Sequence, residues 1–127
     1  MLMEPKPRIV VAEDDPNILQ LLEHVLTVKG YEVIAAKDGE EALESVRRVK
    51  PPILIADVMM PRRNGYQLVQ ELRKERIALK IILLTSKTDP ADVRQGIAAG
   101  ADVYIAKPFD VQEVLSHVGV LLAGRPS

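Results

Sequence analysis

The chain has 127 residues, a length typical of one domain, and 47% of them are apolar, which suffices for an ordinary hydrophobic core. The formal net charge of -1 argues against the basic excess of a nucleic-acid-binding surface or a polybasic membrane patch, and the lack of Cys excludes disulfides and cysteine nucleophiles. No apolar run approaches the ~20 residues of a membrane span, and the first residues lack the features of a signal peptide. The composition therefore predicts a soluble cytoplasmic domain.

Five short apolar runs alternate along the chain with five segments of helical periodicity. The predicted strands, in chain order, are Arg8–Ala12, Tyr31–Ala35, Ile53–Ala56, Lys80–Leu84 and Val103–Ala106. The predicted helices lie between Pro16 and Gly30, Glu40 and Val49, Tyr66 and Glu75, Pro90 and Ala99, and Asp110 and Leu122. Asp15, Asp89 and Asp110 each stand where a helix begins and are predicted N-caps. This alternation predicts an α/β fold, a doubly wound five-stranded parallel sheet with helices on both faces.

Polar residues follow four of the predicted strands at the point where each strand ends. Glu13 and Asp14 follow the first strand, and Asp57, Thr85 and Lys107 follow the third, fourth and fifth strands. Ligands of open parallel sheets bind at the carboxyl ends of the strands. We therefore expect these side chains to converge on one edge of the sheet, although they are far apart in the chain.

The predicted cluster combines carboxylates, a hydroxyl and an ammonium group. Carboxylates held close together repel one another, and a divalent cation with a preference for oxygen ligands, such as Mg²⁺, relieves that repulsion. A hydroxyl and an ammonium beside the cation would complete a cradle for a phosphate-like anion. A carboxylate in such a site can attack phosphorus and form an aspartyl-phosphate.

Ordinary explanations exist for each residue taken alone. Three consecutive acids often form a solvated turn, Thr85 could cap its own loop, and Lys107 could be a surface lysine. Their joint occurrence at strand ends favours the functional interpretation. Three basic pairs are interpreted as solvated faces: Arg47-Arg48, Arg62-Arg63 and Arg73-Lys74.

Four stretches carry a resemblance to a known family: IVVAEDDPNILQLL, ILIADVMMPRRNGYQL, IILLTSK and GADVYIAKPFDVQEV. In this order, each at a strand end, they resemble the receiver domain of two-component response regulators, from about Arg8 to Leu122. The resemblance implies a single receiver domain over residues 1–127 with a flavodoxin-like (βα)5 fold and strand order 2-1-3-4-5.

The resemblance also implies a phosphorylation site and a Mg²⁺ site. Asp57 would be the phosphoacceptor. Asp14 would bind the metal directly and Glu13 through water, with an Asp57 oxygen and the backbone carbonyl of Met59 as further ligands. An alternative alignment shifts the acidic pair by one residue, to Asp14 and Asp15.

The remaining roles implied by the resemblance concern the phosphoryl group and the switch. Thr85 would hydrogen-bond a phosphoryl oxygen, Lys107 would contact Asp57 or the phosphoryl group, and the bond before Pro108 is expected to be cis. Tyr104 occupies the aromatic switch position and would turn inward when Thr85 moves, with simple packing at the sheet edge as the alternative. Three residues at positions that vary in the family are expected to tune the site: Met59, Lys87 and Ala106.

The resemblance predicts a phosphorylation-dependent signalling switch, a phosphoprotein of a phosphorelay and not an enzyme that turns over substrate. A sensor histidine kinase would phosphorylate Asp57. The surface of the fourth helix, fifth strand and fifth helix would then change for a downstream effector or output domain. No direct nucleic-acid binding and no membrane partner are expected, and a weak or phosphorylation-induced dimer is a further hypothesis.

Two competing functions are a phosphate-independent interaction module and an aspartyl-phosphate phosphatase or phosphotransferase. The enzymes of that kind place a second Asp two residues after the nucleophile, where this chain has Met59.

Overall fold

A five-stranded parallel sheet forms the centre of the computed structural model, which describes residues 5–86 and 89–124. Its strands are β1 (Arg8–Ala12), β2 (Glu32–Ala36), β3 (Ile53–Asp57), β4 (Lys80–Thr85) and β5 (Val103–Ala106). The helices are α1 (Pro16–Val28), α2 (Gly39–Val49), α3 (Gly65–Lys74), α4 (Pro90–Ala99) and α5 (Val111–Ala123). The order β2-β1-β3-β4-β5 confirms the predicted doubly wound, flavodoxin-like fold.

Each central strand contributes side chains to two separate hydrophobic cores, because successive residues of a strand point to opposite faces. On β3, Leu54 packs with apolar residues of α2 and α3, whereas Ile55 packs with those of α1 and α5, and both are fully buried. Helix α4 sits more loosely on the sheet, and Gly96 is its one buried residue. Burial on both faces explains why the strands are continuous apolar runs.

Small shifts separate the predicted elements from the observed ones. Strand β2 begins one residue late because the Tyr31 N–H closes the end of α1 by donating to the Leu26 carbonyl, at 3.1 Å. Strands β3 and β4 extend by one residue to Asp57 and Thr85, since both are in register with a partner strand. Asp89 occupies the N-cap position of α4, as predicted, but its side chain makes no capping hydrogen bond.

Asp15 and Asp110 cap their helices as predicted. The Asp15 carboxylate accepts from the Asn17 N–H at 2.9 Å, and that of Asp110 accepts from the Gln112 N–H at 2.8 Å. Each bond satisfies a donor that the first turn of a helix otherwise leaves unpaired. Within the described part of the chain, none of the helices combines the length and the apolar character that crossing a membrane requires.

Candidate functional site

The carboxyl edge of the sheet brings together the polar residues that the sequence places at strand ends. Asp57 and Thr85 are the last residues of β3 and β4, Glu13 directly follows β1, and Lys107 directly follows β5. The Lys107 N–H donates to the Thr85 carbonyl at 2.8 Å, which continues the pairing of β5 with β4. The sheet itself therefore sets the spacing of these side chains.

Three carboxylates meet at this edge. Glu13, Asp14 and Asp57 each offer an oxygen within 4.8 Å of the others. Glu13 is 1% exposed and Asp57 5% exposed, whereas Asp14 is open to solvent. Two acids are thus buried and one faces outward, so an ion could approach the cluster from solvent.

Lys107 lies between the two buried acids. Its Nζ is 2.9 Å from Glu13 Oε1 and 3.2 Å from Asp57 Oδ2. Burial alone would lower the pKa of Lys107, but the hydrogen bond to Glu13 and the negative charge of Asp57 outweigh it and hold the pKa above its usual value. The ammonium group is therefore charged, and in the described part of the chain it lies beside the cluster of three acids.

Glu13 carries the clearest sign of an incomplete site. Burial raises its pKa to about 7, the hydrogen bond from Lys107 opposes the rise, and the negative charge of Asp57 adds to it. Its Oε2 is buried and has no hydrogen-bond partner among the described residues. A buried oxygen without a partner is costly, and a divalent cation held by carboxylate oxygens would remove that cost. The residues present therefore fit Mg²⁺.

Comparison with known proteins gives the fold and this site a family. The response regulator receiver domain family matches residues 9–119. The chain belongs to this family. The predicted resemblance is thus confirmed, and receiver domains are signalling switches with a Mg²⁺-binding acidic pocket and not conventional enzymes.

Individual relatives agree with the family. The alkaline phosphatase synthesis transcriptional regulatory protein PhoP of Bacillus subtilis is 38% identical over 115 residues, which are 91% of this chain and 48% of that protein. The receiver domain of the Francisella response regulator 1452 superposes with a TM-score of 0.88 at 31% identity, over 91% of this chain and 96% of that one. The chemotaxis response regulator CheY4 of Vibrio cholerae gives 0.86 at 30% identity, over 92% and 99%.

The chain spans about half the length of the regulatory proteins it matches. The part of these proteins that matches the present receiver domain is thus about half of each chain.

Asp15 is engaged elsewhere in the receiver domain. Its carboxylate caps α1 and also accepts from the Ile18 N–H at 3.4 Å, whereas Glu13 and Asp14 lie beside Asp57. This arrangement favours Glu13 and Asp14 as the acidic pair over the alignment shifted to Asp14 and Asp15.

The other predicted site residues differ in how closely they approach the cluster. Thr85 is fully buried at the end of β4. The Met59 N–H donates to Asp57 Oδ1 at 3.3 Å, and the Met59 side chain is 54% exposed. Ala106 is exposed beside Lys107, and the Lys107-Pro108 bond is cis, as expected. Lys87 lies outside the described residues.

Tyr104 lies half-buried against α4 in contact with residues the sequence did not single out. Its hydroxyl is 3.0 Å from that of Tyr66, which in turn donates to the Asp92 carbonyl at 3.2 Å. A Cβ on Gly96 would come within 2.6 Å of the Tyr104 ring, so any other residue there would displace that ring. An aromatic residue among the aliphatic ones of α3 was the available signal for Tyr66.

The interpretation of the basic pairs as solvated faces was wrong for Arg73. Its guanidinium donates to the Gly100 carbonyl at 2.9 and 3.1 Å, to the Leu79 carbonyl at 2.8 Å and to Asp102 at 2.9 Å. Asp102 also accepts from the Ile81 N–H at 2.8 Å. Arg73 therefore joins the end of α3 to the starts of β4 and β5.

The other pairs divide between ion pairs and solvent. Arg47 pairs with Glu75, Arg62 with Asp38 and Arg63 with Glu40. Among the described residues, the first of these pairs links α2 to the end of α3, and the other two link the start of α2 to the loop before α3.

Proposed function

We propose that this receiver domain is a phosphorylation-dependent switch that accepts a phosphoryl group on Asp57. The observation that supports it most directly is the position of Lys107, whose ammonium lies 2.9 Å from Glu13 and 3.2 Å from Asp57 at the carboxyl edge of the sheet. A nucleophilic carboxylate beside a fixed cation is suited to an anionic reaction centre. The donor would be a phosphohistidine of a sensor histidine kinase.

In the proposed reaction, an Asp57 carboxylate oxygen attacks phosphorus in line with the leaving nitrogen of the phosphohistidine. The O–P bond forms, the P–N bond breaks, and the imidazole keeps the bonding electrons and takes up a proton. Lys107 stays charged throughout and would offset the negative charge of the phosphoryl oxygens. Thr85, at the end of the neighbouring strand, would donate its hydroxyl to one of those oxygens. Attack of water on the phosphorus would later break the Asp57 O–P bond, release inorganic phosphate and restore the carboxylate.

The cofactor would be Mg²⁺, held directly by Asp14, an oxygen of Asp57 and the backbone carbonyl of Met59, and through water by Glu13. When bound, it would neutralise the approaching acids and phosphoryl oxygens. Glu13 and Asp57 are buried, and one Glu13 oxygen has no hydrogen-bond partner within residues 5–86 and 89–124; these features support such a site. Asp14 would be the open side through which the ion exchanges.

The proposed output is a change in the surface formed by α4, β5 and α5. Tyr104 of β5 contacts α4 at Gly96 and shares a hydrogen bond with Tyr66. Contacts to a new phosphoryl group would bias Thr85 and, through it, Tyr104 toward one of two arrangements. A downstream effector or an attached output domain would read that change in the cytoplasm, and this surface could also pair two copies weakly.

One feature supports a switch over a turnover enzyme. The residue two positions after Asp57 is Met59, with an exposed, uncharged side chain, so no acid stands there to protonate a leaving group.

The helices and strands from 8 to 123 form one βα succession, which supports a single receiver domain over residues 1–127.

The test is uptake of labelled phosphate from acetyl phosphate by the purified chain. We expect labelling that requires Mg²⁺, that disappears in Asp57→Asn and that falls at least tenfold in Lys107→Ala. An exposed acid, Glu23→Gln, serves as the matched control and should label as the wild type does. Undiminished labelling of Asp57→Asn, or a wild type that takes up no label, would refute the proposal.

A further inference from the structure

The loop between β3 and α3, residues 58–64, carries the proposed metal ligand Met59. Its ends are tied to the sheet, because the Val58 N–H donates to the Leu84 carbonyl at 3.0 Å and the Gly65 N–H to the Val58 carbonyl at 2.8 Å. Neither bond involves its middle, residues 61–63. Within this middle the Arg63 N–H donates to the Pro61 carbonyl at 2.8 Å, and the middle also contacts a different element, the start of α2.

Backbone contact between the loop and α2 is unusually close at Gly39. A Cβ built on Gly39 would lie 2.0 Å from the Arg63 carbonyl oxygen and 2.5 Å from the Arg63 Cβ. Atoms at such distances overlap, so any other residue at position 39 would push the loop away from the helix. Glycine here permits contact and is not needed for an unusual φ, since Gly39 is the first residue of a regular helix.

Two ion pairs reinforce this contact. Arg62 Nε is 3.0 Å from Asp38 Oδ2, and Arg63 Nε is 2.8 Å from Glu40 Oε1. Arg62 has a φ of 69°, a left-handed conformation that a residue with a side chain adopts at some cost. The residue with this strained backbone is thus the one that forms the ion pair with Asp38.

Asp38 serves two elements with its two oxygens. Oδ1 accepts from the Glu41 N–H at 2.8 Å and caps α2, which leaves Oδ2 for Arg62. The pKa of Asp38 is lowered by the Glu41 N–H and, in addition, by the positive charge of Arg62, so the carboxylate stays ionised. The start of the helix and the loop thus share one anchoring group.

We propose that this contact, here called the α2 clamp and formed by Asp38, Gly39 and Glu40 with Arg62 and Arg63, positions the Met59 carbonyl for Mg²⁺. The inference rests on the proposed function, since it assigns positioning residues to that metal site. A loop held in place before the ion arrives has less freedom to lose on binding, so the affinity for Mg²⁺ is higher. Residues that orient ligands without touching the metal commonly change its affinity by 10-fold or more.

Isothermal titration calorimetry of the full chain with magnesium chloride, without a phosphoryl donor, tests the clamp. We expect Gly39→Ala, which changes no charge, and Arg62→Asn, which keeps a residue tolerant of positive φ, to weaken Mg²⁺ binding about tenfold. Electrostatics alone predicts the opposite for Arg62→Asn, because losing a positive charge near a cation site favours the cation. The direction of the change therefore separates the clamp from a simple charge effect.

Arg76→Asn is the matched control. Arg76 is also exposed and left-handed, with a φ of 58°, and it follows the end of α3 at the amino edge of the sheet. The same substitution there removes the same charge without touching the loop, and wild-type affinity is expected.

A second measurement distinguishes positioning from general damage. The Mg²⁺ concentration for half-maximal labelling by acetyl phosphate should rise in Arg62→Asn, while the labelling rate at saturating Mg²⁺ stays near that of the wild type. Circular dichroism establishes folding first, and Arg62→Asn, which inserts no atom into the contact, decides the question if Gly39→Ala does not fold.

The outcomes separate the two proposals. A wild type that binds no Mg²⁺ contradicts the proposed function itself. A wild type that binds Mg²⁺, with Arg62→Asn binding equally well or more tightly, overturns the α2 clamp and leaves the proposed function standing.

Discussion

The two edges of the parallel sheet differ in how completely their charged side chains are paired. At the amino edge, Arg73 donates to two carbonyls and to Asp102, and Asp102 accepts a further backbone N–H, so donors and acceptors match. At the carboxyl edge, three acids lie beside the ammonium of Lys107, and among the described residues an oxygen of Glu13 has no hydrogen-bond partner.

Polar groups at the amino edge bind one another and stabilise the fold, whereas those at the carboxyl edge are left incompletely paired, as in a ligand-binding site. Matched groups at the amino edge satisfy one another and contribute only to stability. Unmatched acids at the carboxyl edge cost stability in the free protein, and a cost of that kind is typical of functional sites. Three predictions test this contrast.

The largest effect is expected for Glu13 in metal-free solution. Its pKa of about 7 in the folded protein exceeds the ordinary value of 4.5, so between these pH values the unfolded chain releases a proton that the folded protein retains. The contribution of Glu13 to the free energy of unfolding is therefore fully present below about pH 4.5 and is lost as the pH rises through 7. The loss amounts to up to about 3 kcal/mol, because a tenfold difference in proton affinity corresponds to ~1.4 kcal/mol.

Urea unfolding from pH 5 to pH 8 in EDTA measures this loss. Glu13→Gln, which cannot ionise, should remove most of it, whereas the exposed Glu23→Gln should leave it unchanged. Parallel curves for Glu13→Gln and the wild type would mean that the carboxyl edge is not strained by its acids.

A smaller effect is expected for Arg73→Ala at the amino edge. The substitution leaves Asp102 and the carbonyls of Leu79 and Gly100 without this donor, and we expect a loss of about 2 kcal/mol, typical of hydrogen bonds to a charged group. Urea unfolding at pH 7 provides the measurement, with the neighbouring exposed Lys74→Ala as control. A loss no greater than that of the control would show that the Arg73 side chain behaves as a solvated one, as the sequence predicts.

The smallest effect concerns the Arg47–Glu75 pair between the ends of α2 and α3. The hydrogen bond from Arg47 lowers the pKa of Glu75 to about 2, so the pair stabilises the fold above the ordinary value of 4.5, and this is lost as the pH falls toward 2. The stability difference between the wild type and Arg47→Gln should therefore shrink from pH 6 to pH 2.5 and also in 1 M salt, because surface pairs are screened. A difference independent of both would assign the effect to packing of the arginine stem.

Local patterns made most of the fold predictable. Strands buried on both faces are apolar throughout, and residues such as Asp15 and Asp110 mark helix starts by a chemistry that acts over two or three residues. The order of the strands needed the family resemblance, because pairing between strands depends on contacts that local composition does not specify.

The site was predictable for a related reason, and its limits are equally physical. Residues at strand ends converge in any parallel sheet, so Asp57 and Lys107 could be grouped before their distance was known. Arg73 was misjudged because the Gly100 carbonyl it binds lies 27 residues away in the chain. The contact of Gly39 with Arg63 could not be predicted, because helix periodicity carries no information about a neighbouring loop.

The pair of tyrosine hydroxyls between α3 and β5 has a direction. Tyr66 has a single hydroxyl proton and gives it to the Asp92 carbonyl, so both bonds exist together only when Tyr104 is the donor to Tyr66. Burial raises the pKa of Tyr66 well above its usual value, and the bond to Tyr104 adds to this, so that proton is retained. The two tyrosines are consequently not equivalent. Tyr104 can move away without breaking the hydrogen bond from Tyr66 to α4, whereas removal of the Tyr66 hydroxyl breaks both hydrogen bonds.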